Sequence, residues 1–126
     1  MTPVVIDAGA LIAIERGADL MRVYLTLAGK GEVKLFTSSA VIARAWRGGA
    51  RQARLARFLE SGLAEEVPLG NAASRRIGAL AALTGGTDVV DGHVALIADD
   101  QGARVVTSDP GDLARWGVPR SSLVKT

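Results

Sequence analysis

The chain has no cysteine, which removes disulfides, thiolate nucleophiles and cysteine-held metal centres. Its one histidine, His93, lies inside a helical pattern. A Ser-His-Asp triad would have to use it, and a structural zinc site would lack its usual ligands. Aromatic residues make up 4% of the chain against 48% apolar, so the core has to be built mainly from Ala, Val, Leu and Ile. No apolar run approaches the ~20 residues needed to cross a bilayer. The first apolar run follows no basic stretch and is interrupted by Asp7, which argues against a secretory signal. These absences predict a cytoplasmic protein with no membrane partner. No Gly-rich phosphate-binding motif is present, and no repeat, linker or low-complexity segment divides the chain.

A length of 126 residues suits one domain, residues 1–126. Val4-Val5-Ile6-Asp7 reads as a short strand buried on both faces that stops at a carboxylate. A helix is expected over 9–16, and another over 19–29 with Leu20, Val23, Tyr24 and Leu27 on one face. A strand over 33–37 leads through Ser38 or Ser39 to a helix over 40–47. Gly48-Gly49 breaks the chain, and a helix resumes over 50–61. Residues 65–69 read as an edge strand because of Pro68. Helices follow over 71–84 and 89–101, the second capped by Thr87 or Asp88. A strand over 104–107, a short helix opening at Asp109-Pro110 and a last strand over 122–124 complete the pattern. Strands alternating with helices predict an α/β fold with a mostly parallel central sheet and helices on both faces.

Such sheets bind ligands outside the carboxyl ends of their strands. Asp7 and Asp109 each follow a strand, and Asp91 opens the helix between them. Asp88 and Asp112 lie one turn away from Asp91 and Asp109. Gathered in one cleft, these acids would repel one another unless a hard cation such as Mg²⁺ or Mn²⁺ bridged them. A cation held this way supports phosphodiester hydrolysis. Each acid also has a local role open to it. Asp7 and Asp109 suit helix N-caps, and Asp88 with Asp91 suits a variant capping box. Asp99-Asp100 reads as solvated. A phospho-receiver domain would need an acceptor Asp after the third strand, and Val67-Pro68-Leu69-Gly70 offers none.

Val5-Ile6-Asp7-Ala8-Gly9-Ala10-Leu11, Asp91-Gly92-His93-Val94-Ala95-Leu96-Ile97-Ala98 and Val105-Val106-Thr107-Ser108-Asp109 together resemble the PIN domain family. The likeness is strongest to the VapC-type toxin ribonucleases of VapBC toxin–antitoxin pairs, and it runs from Val4 to about Trp116. It implies a three-layer α/β/α sandwich and Mg²⁺ or Mn²⁺ dependence. It also implies an RNA substrate, a homodimer and a cognate antitoxin. Asp7, Asp91 and Asp109 would be the catalytic, metal-binding acids, with Asp88 as a further metal ligand. One position departs from the pattern: where the family places Glu in Ala-Glu-x-x-Arg, this chain reads Ala43-Arg44-Ala45-Trp46-Arg47. The alternative reading is therefore a catalytically weakened PIN module that binds nucleic acid or a protein partner without cutting.

The basic residues are 12 Arg and 3 Lys within a net charge of only +2. Arg44, Arg47, Arg51, Arg54 and Arg57 recur every three or four positions, and no acid lies between Ser38 and Leu59. If the helix turned smoothly past Gly48-Gly49, all five would share one face and could hold an RNA backbone. Trp46 is expected in the core or an interface, with stacking on a base as the other option.

Overall fold

The computed structural model describes residues Met1–Thr126. The elements run β1 (Thr2–Ile6), α1 (Ala8–Arg16), α2 (Asp19–Gly29), β2 (Val33–Ser38) and α3 (Ser39–Ala45). After a 3₁₀ turn at Ala50–Gln52 come α4 (Ala53–Ser61), β3 (Ala64–Val67), α5 (Asn71–Thr84), α6 (Val89–Gln101) and β4 (Arg104–Thr107). Helix α7 (Pro110–Arg115), a second 3₁₀ turn at Arg120–Ser122 and β5 (Leu123–Lys125) close the chain. The five strands form one parallel sheet in the order β3-β2-β1-β4-β5. No helix is long and apolar enough to cross a membrane.

Strand β1 sits at the centre because Val4, Val5 and Ile6 are all buried, so both of its faces are covered. Helix α6 packs on β1 and β2 with α5 and α7 beside it, while α1 packs on β1 and β4 and carries α2, α3 and α4. From Gly92 to Ala98 every residue of α6 is buried, which is why this helix shows no amphipathic stripe in sequence. The core is Ala, Val, Leu and Ile as expected, with Phe36, Phe58 and Trp116 its large aromatics.

Three expectations are corrected. Helix α3 ends at Ala45 rather than at residue 47, because Trp46 turns to extended backbone at φ −77°, ψ 131°. Gly48 and Gly49 both take positive φ, at 83° and 90°, and the chain restarts as a 3₁₀ turn before α4. The arginines on either side of this break therefore cannot form one helical stripe. Trp46 is 40% exposed, so it does not lie in the core. Finally, β3 ends at Val67, so Pro68 follows the edge strand instead of lying in it.

Two glycines beside the acids are there for packing. A Cβ on Gly9 would run into the Ser108 hydroxyl, and one on Gly92 would lie 2.8 Å from the Trp116 ring and 3.0 Å from Ile77. The first contact brings the start of α1 against the loop after β4; the second seats Trp116 on α6. Gly92→Ala should therefore destabilise the chain by about 1–3 kcal/mol, the usual effect of overpacking. Chemical denaturation checks this, and an unchanged midpoint would show that Trp116 can move aside freely.

Candidate functional site

Parallel pairing of β1 with β4 matches Ile6 to Val106, so both strands deliver their next residues to the same edge. Asp7 follows β1 directly, and its amide donates to the Val106 carbonyl at 3.2 Å. Its carboxylate is almost fully buried and accepts the Ala10 amide at 3.1 Å, so capping is part of its role. Asp109 occupies the cap position of α7, yet its side chain makes no capping bond. Its amide instead donates to the Thr107 hydroxyl at 2.9 Å. Asp88 caps α6, one oxygen accepting the Val90 and Asp91 amides at 3.0 and 3.3 Å. Asp91 stands in the first turn of α6 without reciprocating the cap, so its carboxylate is left facing the edge.

The acids sense one another. Burial raises the Asp7 carboxyl above its ordinary value; the Thr107 hydroxyl and the Ala10 and Gly9 amides oppose the rise, and the Asp109 charge adds to it. Asp91 is pushed up to about 6, first by burial and then by Asp88, with Asp112 and Asp7 adding to the rise and Arg44 opposing it. Asp112 is raised chiefly by its hydrogen bond with Asp109. Asp7, Asp88, Asp91, Asp109 and Asp112 thus form one electrostatic group. They do not close on a single point, however: no three acidic or histidine side chains stand as a ready ligand set.

Arg44 stands among these acids. Its guanidinium donates to Asp88 at 3.0 Å and lies 4.0 Å from Asp91. That bond, with the charges of Asp88, Asp91 and Asp7, holds the guanidinium firmly charged. Asp88 loses solvation, which alone would raise it, but the Arg44 bond and the amides of α6 carry it below the ordinary range. Hard oxygen donors destabilised by their own repulsion suit Mg²⁺ or Mn²⁺ in kind. Arg44 supplies one positive charge in the same place.

Of the arginines, Arg44, Arg47 and Arg51 stay together. With Arg16 from the end of α1 they line a cleft of about 490 Å³ that also includes Glu15 and Gln52. Arg54 and Arg57 face elsewhere, joining Arg22 around a separate groove of about 320 Å³ floored by Met21, Leu25 and Phe58. The expected grouping of Arg54 with Arg44, Arg47 and Arg51 is therefore overturned by the break at Gly48-Gly49.

The sequence reading missed Arg16, Gln52 and the pair formed by Ser38 and His93. Buried Gln52 donates to the Ala45 carbonyl at 2.9 Å and accepts the Arg47 and Gly48 amides at 2.8 and 2.9 Å. It clasps the arginine-bearing loop. Ser38 accepts the Ala40 amide and meets His93 Nδ1 at 2.6 Å, tying the start of α3 to α6. Both residues are buried, so this serine is no exposed nucleophile. No local signal marks these partners, which lie far apart in sequence.

No family model matches the chain, and no curated protein matches it in sequence. Among solved structures, FitAB bound to an IR36 DNA fragment shares the fold with a TM-score of 0.64. The match covers 97% of this chain and 94% of the other, at 15% identity. The fold is PIN-like.

Asp91 gives this site a pH signature. A carboxyl near 6 in the folded chain, against an ordinary 3.8, holds its proton more tightly folded than unfolded. Its contribution to stability is full below about pH 4 and is lost as pH rises through 6. Asp91→Asn should therefore be more stable than the wild type at pH 7.5, on the order of 1–3 kcal/mol, and nearly equal to it at pH 3.5. Melting curves of both proteins at the two pH values test this, and an Asn variant that is less stable at pH 7.5 refutes it.

Proposed function

We propose that this protein is a metal-dependent endoribonuclease, the toxin of a type II toxin–antitoxin pair. The observation that carries the reading is that β1, α6 and β4 deliver acids to one carboxyl edge of a parallel sheet, where they act on one another's charge and Asp7 and Asp91 are both raised. The fold likeness to FitAB, a PIN-domain toxin–antitoxin complex seen on DNA, supports the pairing with an antitoxin. A VapC-type homodimer acting on RNA is the finer form of the same proposal.

Asp7, Asp91 and Asp109, with Asp88 beside them, would hold Mg²⁺ or Mn²⁺, which supplies Lewis acidity for phosphodiester hydrolysis when bound. The chain's own residues do the rest. Thr107 joins Asp7 to the backbone of Asp109, which fixes the two strand-end acids relative to each other. Ser38 and His93 hold α3 against α6, and so hold Arg44 within reach of Asp88. The arginine cleft beside the acids places cations where the phosphates of a bound strand would run.

The second reading, a PIN module that binds without cutting, is favoured by one observation: Arg44 already neutralises part of the acid edge. Incubating the protein with single-stranded RNA and Mg²⁺ or Mn²⁺ separates the two. The expected result is cleavage that a chelator stops and that Asp7→Asn reduces by more than the ~10–100-fold lost with an outer-shell partner. Binding without cleavage at any concentration of either cation would establish the second reading instead.

A further inference from the structure

Arg44 is the one side chain shared by the acid edge and the arginine cleft. It bonds Asp88 and approaches Asp91 on one side, and it lines the cleft with Arg16, Arg47 and Arg51 on the other. The two neighbourhoods have opposite needs. The acids need a cation, and the cleft gathers four guanidiniums around one acid, Glu15. Arg16 and Arg51 have no partner within the chain. Arg47 is spent on the end of α3, donating to the carbonyls of Ala43 and Trp46 at 3.2 and 2.7 Å. Gln52 fixes the loop that carries Arg47 and Arg51. The backbone of the cleft is thus fixed, and two of its guanidiniums are free to take an anion. Arg44 is the member held on the acid side, with its side chain still 44% exposed.

We infer that Arg44 couples the two sites, so that a single-stranded phosphodiester backbone in the cleft and a divalent cation at the acids bind cooperatively. The inference rests on the metal-dependent reading above. A phosphate between Arg16 and Arg51 attracts the Arg44 guanidinium. Drawing it off Asp88 and Asp91 removes a fixed positive charge from the acids and restores their affinity for a cation. Conversely, a cation at the acids repels Arg44 towards the cleft, where it adds a phosphate contact. Coupling of this kind is reciprocal, each ligand changing the affinity of the other by the same factor. Its sign is diagnostic. Divalent cations ordinarily compete with arginines for phosphate and weaken strand binding.

The test is a thermodynamic cycle on the full chain, with oligothymidylate as a strand lacking the 2′-hydroxyl. Strand affinity is read by fluorescence anisotropy with and without Mn²⁺ at constant ionic strength, and Mn²⁺ affinity by calorimetry with and without strand. Wild type should show mutual tightening of at least about 5-fold, the lower end of usual couplings. Arg44→Gln should bind Mn²⁺ more tightly than wild type when alone, and should lose the tightening. That comparison also cancels the strand's own affinity for Mn²⁺. Arg16→Ala with Arg51→Ala should weaken strand binding and flatten its salt dependence by roughly 0.7 per lost phosphate contact, without weakening Mn²⁺ binding. Arg57→Ala, on the separate groove, should change neither. Mn²⁺ binding to wild type with no tightening, or with the same tightening in Arg44→Gln, overturns the coupling alone. Failure of both proteins to bind Mn²⁺ overturns the coupling and the metal-dependent reading together.

Discussion

Charge balance at one edge of the sheet is the constraint on which the rest of this structure turns. Pairing β1 with β4 sets Asp7 and Asp109 at neighbouring strand ends, and α6 adds Asp88 and Asp91. Ionised carboxylates so placed raise each other's proton affinity, and partial burial increases the effect. Three devices relieve it. Helix amides accept part of the charge at Asp7 and Asp88. Asp112 holds its proton more tightly beside Asp109. Arg44 supplies a countercharge at the position where the resemblance calls for a glutamate. Asp91, partly buried and without an amide donor, is pushed up to about 6.

The scaffold around that edge is arranged to keep the acids close without letting them relax apart. Gly9 admits Ser108, and Gly92 admits Trp116. A side chain at either position would separate α1 from the loop after β4, or α6 from the segment after α7. The Ser38–His93 bond performs the same service between α3 and α6. Burial lowers the proton affinity of that imidazole. The neutral ring and the hydroxyl can pair through Nδ1 while the serine also accepts from Ala40.

Much of the scaffold was legible in sequence, and the reason is local. The alternation of elements, the burial of β1 on both faces, and Ser38 and Asp88 as caps all follow from patterns spanning a few residues. What failed was every inference that needed direction through a loop. Gly48-Gly49 announced a break but not its geometry, so five evenly spaced arginines looked like one face when they were two. Arg16 joined three of them only because α1 packs against α3 and α4, a contact no periodicity encodes. The acids were legible as residues at strand ends. The ion pair of Asp88 with Arg44 was not, because the two residues lie 44 positions apart.

A net charge of +2 hides this organisation. Fifteen basic and thirteen acidic residues nearly cancel, yet five of the acids share the carboxyl edge and four of the arginines line the cleft beside it. Such segregation creates a local field far larger than the total suggests, and it acts over about a Debye length, ~10 Å. Within that range the two patches cannot be electrostatically independent. Any residue between them must be attracted to the acids and repelled by the other arginines. Arg44 is that residue, and its bond to Asp88 at 3.0 Å and its approach to Asp91 at 4.0 Å are what this field favours.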